Sequence, residues 1–384
     1  MLETNQIPSP CYVLEEKKLR NNLALIKQIA HTAEVEILPA LKAFSLWKVF
    51  PLLRQYIGGA SVSSPWEARL AAEALQTPVH VCSPGYTGED IKELLPAMSH
   101  ITFNSLSQYE RFHPLIAASS GKNISCGLRI NPGYSPVTTD LYNPTVKGSR
   151  LGVSYEQLPE KLPEGIEGLH FHVLCESTSY DLERALSVVE NRFAPHLTHI
   201  KWLNMGGGHL MTDKDYDVKH LIHLLRTFKS RYPHLQVILE PGSALVWQAG
   251  FLRTTVVDIV NNSGIATAIL DVSFTCHMPD CLEMPYRPVI RGALEMHPDI
   301  ILSNGYRMGG NSCLAGDFIR DPYYFNQPLH PGDSLIFEDM AHYTTVKTTF
   351  FNGLRHPAMA LLNNDGELEL LRKFTFDDYR NRMC

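Results

Sequence analysis

The sequence predicts an α/β fold, a (β/α)8 TIM-type barrel followed by a mainly β C-terminal domain. Three observations carry this prediction. Eight short apolar, β-branched runs alternate with amphipathic stretches between residues 35 and 251. The residues that stand out chemically sit at the ends of those runs. After Phe251 the helical periods fade, and segments such as "TTVVDIV", "ATAILDVSF" and "DSLIFEDM" come with Pro, Gly and Asn turns.

Residues 1–34 hold a strand-like stretch, "CYVLEE", and a helical one; they could pack with either domain. The barrel, 35–251, reads strand by strand as "VEILPALK" (35–42), "ASVSS" (60–64), "HVCSP" (80–84), "ITFNS" (101–105), "SCGLRIN" (125–131), "GLHFHVL" (168–174), "WLNMGGG" (202–208) and "VILEPG" (237–242). Helical stretches such as 64–75 and 180–193 lie between them. In the first, Ser64 can cap, Pro65 suits the first turn and Glu67 completes a capping box. Residues 252–384 form the β domain. A doubly wound open sheet is the alternative architecture.

Bulk properties narrow the function. Of 384 residues, 44% are hydrophobic and 19% charged, which describes a globular chain. The net charge of −6 (34 basic less 40 acidic residues), without a long run of one sign, argues against nucleic acid as a partner. No stretch approaches the ~20 apolar residues of a membrane span. The N-terminus lacks the layout of a signal peptide, and eight scattered cysteines then read as reduced thiols of a cytoplasmic protein. Cys276 and Cys281 have no second ligand pair at matching spacing, so no metal is expected.

The barrel reading makes a test possible. Catalytic groups of such barrels collect at the C-terminal ends of the strands, and phosphate commonly binds after strands seven and eight. Lys42 ends strand one, His170 and His172 lie near the end of strand six, Gly206, Gly207 and Gly208 end strand seven, and Glu240-Pro241-Gly242-Ser243 ends strand eight. Each residue has an ordinary reading: Lys42 a snorkelling rim lysine, His172 a core histidine, the glycines a tight turn, Glu240 a rim salt bridge. Each also has a chemical one. Consecutive glycine N–H groups can curl around a phosphate. A lysine can form a Schiff base, a histidine can lie flat against a ring, and a carboxylate can keep a pyridine nitrogen protonated. Together they describe a site for pyridoxal 5′-phosphate (PLP).

At these residues the chain resembles the fold-type III PLP decarboxylases, which act on diaminopimelate, ornithine and arginine. Within them it is most similar to the branch that decarboxylates carboxynorspermidine and carboxyspermidine. The stretches "LPALKAFS", "HFHVLCES", "NMGGGH", "LEPGSA", "DVSFTCHMPDCLEMPYRP" and "GNSCLAGD" carry the resemblance over nearly the whole chain. It implies that Lys42 is the Schiff-base lysine and that His172 stacks on the ring. Gly206, Gly207, Gly208, Gly242 and Ser243 would serve the phosphate, and Glu240 the pyridine nitrogen. Arg129 would lie beside the cofactor and Tyr343 near the phosphate. Cys313 matches the cysteine that protonates the substrate carbon, entering from the partner subunit, which implies a homodimer with shared sites. The distal amines of such a substrate would meet carboxylates. Asp280 aligns with the residue that receives them in ornithine decarboxylase; Glu283, Asp317, Asp271 and Glu176 are further candidates, and Glu240 also borders the substrate. These loop carboxylates could equally face water.

Two departures are visible. Where many relatives read His-x-Gly-Ser, this chain reads His172-Val173-Leu174-Cys175, so a phosphate-facing serine is missing. Ser61 stands where ornithine decarboxylase has an aspartate. Competing readings are a diaminopimelate or other basic amino-acid decarboxylase, a racemase, a PLP-binding protein without turnover, and a barrel that only binds phosphate.

Overall fold

The computed structural model describes residues 6–119, 123–295 and 303–384. The chain divides into two compact units, one of residues 22–245 and one that joins the chain through Asn21 with Val246–Cys384.

In the first unit, all eight expected strands are present: Glu36–Ile37, Ala60–Val62, Val79–Cys82, Met98–Phe103, Ser125–Asn131, Ile166–His170, Trp202–Asn204 and Gln236–Leu239. Every neighbouring pair is parallel, and the last strand pairs back to the first (Leu239 with Ile37). A parallel bridge between Ala40 and Ser61 closes the ring. The first strand is shorter than its apolar run because Pro39 offers no N–H to a ladder. The flanking N–H groups still pair on both sides, Leu38 to the Leu239 carbonyl and Leu41 to that of Ser61.

Side chains fill the interior of the barrel. Trp202 lies over Gly127 and Gly168, where an added Cβ would come within 2.2 and 2.0 Å of its ring. Its indole N–H donates to Ser125 Oγ at 2.8 Å. Beside it the rings of His80 and His100 stack at 3.9 Å, and burial drives His80 down to about 3. These glycines are there for ring volume, since no side chain could share the layer with an indole.

The connecting helices start where their caps say. Ser64 accepts the Glu67 N–H ahead of Pro65–Leu70, while the Glu67 carboxylate takes the Ser63 N–H, one residue earlier than a regular capping box. Thr178 and Asp181 form a full box at the start of Ser179–Leu197.

The second unit is built on an eight-stranded mixed sheet. Its long strand, Gly250–Asn262, pairs antiparallel with Cys11–Glu15, Ile265–Leu270 and Ser334–Glu338. Cys11–Glu15 also pairs in parallel with Ala358–Leu362, so the N-terminal strand lies inside this sheet. The domain boundary expected at 251/252 falls at 245/246, because residues 250 and 251 already belong to the long strand. Tyr12, Leu252, Phe274, Tyr323 and Phe337 form the core.

Candidate active site

Lys42 lies in the turn two residues past the closing bridge. Leu41, Ala43 and Phe44 are buried around it, and only Lys42 emerges. Its charge is felt at Glu67, Cys82, His170 and His172, from three different strand ends.

Glu240 follows the eighth strand and is buried. Asn204 Nδ2 donates to its Oε1 at 2.8 Å, and His170 Nε2 lies 3.3 Å from Oε2. Burial opposes the charge, but these two partners outweigh it and hold the carboxyl at about 2. Burial also pushes His170 below the ordinary histidine range, so at neutral pH it is an uncharged donor through Nε2; Nδ1 has no partner among the described residues. The result is a buried carboxylate with its charge intact.

His172 is turned by a backbone contact: the Gly207 N–H donates to its Nδ1 at 3.0 Å. Desolvation, then the charges of Lys42 and Arg129, lower its pKa well below the usual value. A neutral ring with a fixed tautomer follows. Arg129 is buried, with its guanidinium directed at the His172 carbonyl at 3.5 Å.

The triple glycine needs correction. Gly206 and Gly208 have φ of +70° and +90°, and a Cβ on Gly206, Gly207 or Gly208 would fall 2.5, 2.1 or 2.2 Å from the carbonyl oxygens of Phe171, Glu240 or Leu174. Close approach of three strand ends requires these glycines. The Gly206 N–H donates to Asn204 Oδ1 at 2.9 Å and the Gly207 N–H to His172, so neither is left for a phosphate. The N–H groups of Gly208, Gly242 and Ser243 have no acceptor among the described residues. Three unpaired N–H groups after strands seven and eight, one emergent amine and one buried carboxylate fit a phosphorylated pyridine aldehyde.

The remaining candidates belong to the second unit. Cys313 is exposed, on the loop between the strands Gly305–Gly309 and Phe318–Tyr324. Tyr343 has φ of +46°, an uncommon conformation for a bulky residue, held by the N–H groups of Val346 and Lys347 on its carbonyl. Two of the expected amine-binding carboxylates are organisers of the fold. Asp317 is buried; it accepts the N–H groups of Thr275 (3.0 Å) and Ser312 (3.1 Å) and the Ser312 hydroxyl (2.6 Å). Asp271 accepts from Ser9 Oγ (2.7 Å), Thr254 Oγ1 (2.6 Å) and the Thr255 N–H (2.9 Å). The oxygens of both are engaged by donors of the second unit. Asp280 and Glu283 share one helical turn, and both bind the Lys347 ammonium. Glu176 is exposed in the first unit, with φ of +46°.

Sequence reading gave no role to His170, Asn204 and Lys347. His170 was within reach, since two-residue alternation puts it on the same barrel face as His172. Nothing in the sequence pairs Lys347 with residues 280 and 283.

Among the described residues no helix is long and apolar enough to cross a membrane. The family profile described as "Pyridoxal-dependent decarboxylase, C-terminal sheet domain" matches residues 11–341. The chain belongs to this family and is a PLP-dependent decarboxylase. It is 52% identical over 380 residues to the carboxyaminopropylagmatine decarboxylase of Synechocystis sp. (strain ATCC 27184 / PCC 6803 / Kazusa), covering 99% of this chain and 96% of that one. It is 39% identical to the carboxynorspermidine/carboxyspermidine decarboxylase of Campylobacter jejuni, covering 98% and 99%. The crystal structure of carboxynorspermidine decarboxylase from Campylobacter jejuni, complexed with norspermidine, superimposes with a TM-score of 0.89 at 38% identity, covering 98% of this chain and all of that one.

Proposed function

We propose that this chain decarboxylates a carboxylated polyamine, converting carboxynorspermidine or carboxyspermidine to norspermidine or spermidine. What carries the reading is the cluster of Lys42, His172 and Glu240 at the strand ends, in a chain matched almost end to end by relatives of that activity. Lys42, Arg129, His172, Gly208, Gly242, Ser243, Glu240 and Tyr343 would hold the cofactor. PLP, when bound, supplies a sink for the electron pair left on the α-carbon as CO2 departs.

The protein's residues supply the rest. Lys42 would hold the cofactor through its side-chain amine. Glu240 retains a proton on the ring nitrogen, which its low pKa allows at any working pH. His172, neutral and locked by Gly207, would lie against the ring without adding charge. The partner subunit's Cys313 delivers a proton to the α-carbon after CO2 leaves. The working unit is thus a homodimer, in the cytoplasm.

Asp280 and Glu283 take the distal amines by charge-assisted hydrogen bonds. Arg287, the arginine that follows this acidic loop in the chain, lies 3.8 Å over the Tyr323 ring and donates to the Pro322 carbonyl at 2.7 Å. That disfavours diaminopimelate.

A second reading has its own support. The 52% identity to the Synechocystis enzyme favours carboxyaminopropylagmatine, whose far end is a guanidinium. Product analysis of PLP-loaded protein decides. The panel is carboxynorspermidine, carboxyspermidine, carboxyaminopropylagmatine, meso-diaminopimelate, L-ornithine and L-arginine. Triamine release from the first two supports the main reading; turnover of the third alone moves the assignment to the second. Turnover only of the last three sinks both.

A further inference from the structure

Cys313 stands on an exposed loop whose backbone is tied at several points but whose thiol is not. "GGNSCLAGD" (309–317) has glycines at 309, 310 and 316, the cysteine is exposed, and no acceptor among the described residues engages its thiol. A proton donor on such a loop needs its Cα–Cβ direction set from the backbone. One side is set by Asp317, whose carboxylate takes the N–H and hydroxyl of Ser312. It sits so close that a Cβ on Gly310 would fall 2.2 Å from it. The other side is set from a distant turn: the Cys313 N–H donates to Asn352 Oδ1 at 2.7 Å.

We propose that Asn352 is a positioning residue for Cys313, fixing through that one hydrogen bond the peptide from which the thiol projects. The inference rests on the reading of Cys313 as proton donor. Asn352 is suited to the task. Its φ of +58° and ψ of +11° are left-handed, a conformation asparagine tolerates better than most side chains. The turn that carries it is tied down on its own account. The Thr349 N–H donates to the Cys276 carbonyl at 3.0 Å, and the Cys276 thiol lies 3.7 Å from the Phe351 carbonyl. Thr275, next to Cys276, donates its N–H to Asp317. The two anchors of the cysteine loop therefore meet at residues 275 and 276, and the peptide 312–313 is gripped from both ends by one framework.

The backbone conformation supplies a clean test. Asn352→Gly keeps the left-handed turn and deletes the acceptor; Asn352→Asp keeps an acceptor oxygen at the same reach. Both, with Cys313→Ala as reference, are made in the full chain loaded with PLP. The readouts are kcat, KM, the ratio of CO2 released to amine formed, and the iodoacetamide alkylation rate at residue 313. Correct turnover gives one amine per CO2. Asn352→Gly is expected to lower kcat about tenfold with KM within twofold, to release CO2 in excess of amine, and to change the alkylation rate. Asn352→Asp is expected to restore the one-to-one ratio. If Asn352→Gly keeps wild-type kcat, ratio and alkylation rate while Cys313→Ala is impaired, Asn352 has no such role. If Asn352→Asp is as defective as Asn352→Gly, the oxygen is not what matters and the proposal falls. If Cys313→Ala is itself unimpaired, the proton-donor reading falls first and takes this one with it.

Discussion

Replacing His170 with phenylalanine removes one of two donors that keep Glu240 charged inside the barrel, and the structure sets the size of the effect. Burial alone would raise the carboxyl above its usual 4.5, yet His170 and Asn204 bring it to about 2. The Asn204 contact, at 2.8 Å, is of full strength; the His170 contact, at 3.3 Å, is long. A hydrogen bond to a charged group contributes roughly 1.5–3 kcal/mol, and one pKa unit is worth about 1.4 kcal/mol. Losing either partner raises the Glu240 pKa, by roughly one to two units on these figures. Either way Glu240 stays ionised at neutral pH, so kcat should fall less than about tenfold in His170→Phe.

Stability carries the sharper signature. Glu240 has a folded pKa below its unfolded one, so its contribution is complete above about 4.5 and is lost as pH falls toward about 2. His170 also titrates lower when folded, mainly through burial, so wild type loses stability as pH drops below 6.5, and the phenylalanine variant is spared that loss. The variant should therefore be less stable than wild type at about pH 8 by roughly 1–2 kcal/mol. The gap should narrow from about pH 6.5 downward through His170, and further below about pH 4 through Glu240. Urea midpoints of cofactor-saturated protein at about pH 8, 6 and 4.5 measure the His170 part of this trend. The packing cost of the larger ring is independent of pH and drops out of the trend. A gap that stays constant or widens on acidification would refute the assignment of His170 as a neutral donor to a charged Glu240.

The other predictions concern separate parts of the protein. Lys42→Ala should lose the covalent absorbance of the bound cofactor and nearly all turnover; retention of both would remove Lys42 from the mechanism. Gly207→Ala forces a Cβ to 2.1 Å from the Glu240 carbonyl, so thermal melting should report a loss of roughly 1–3 kcal/mol together with weaker PLP retention on dialysis. Asp271→Ala strands three donors in the second unit and should cost roughly 2–4 kcal/mol in urea titration, while KM stays unchanged; a raised KM alone would return Asp271 to the substrate. Lys347→Met leaves Asp280 and Glu283 without their internal cation. Because that cluster is partly exposed, the expected fall in KM for a polyamine substrate is only about two- to fivefold, and it should fade at high salt; a rise in KM would mean that Lys347 arranges the carboxylates instead.

The barrel was legible because each strand is a short β-branched run and the chemically loaded residues gather at one end of the runs. The roles of Lys42 and Glu240 could be proposed for the same reason. The direction of a backbone N–H was not legible. Three glycines in a row suggest a phosphate cradle, but which hydrogens turn inward depends on where Asn204 and His172 lie, and that is tertiary information. The same limit explains Asp271 and Asp317. A carboxylate in a polar loop reads as a ligand or as a solvated group, and only the fold reveals backbone N–H groups converging on it. His170 hid in plain view within "HFH", where one histidine meets the site with its ring and the other meets it through Glu240.

The strand Cys11–Glu15 lies between Gly250–Asn262 and Ala358–Leu362, with partners about 240 and 350 residues away along the chain. In a nascent chain it is made well before both of its partners. Its edges wait through synthesis of residues 22–245 before either neighbour exists, an interval of tens of seconds at about 5–20 residues per second. Its apolar face, Cys11 to Leu14, is wholly buried in the finished sheet and is an aggregation-prone edge until then. The same order fixes what can be cut apart. A fragment beginning at residue 246 lacks an interior strand of its own sheet, and supplying residues 6–21 in trans should rescue it. The sheet whose strands flank Cys313 thus depends on a strand made well ahead of it.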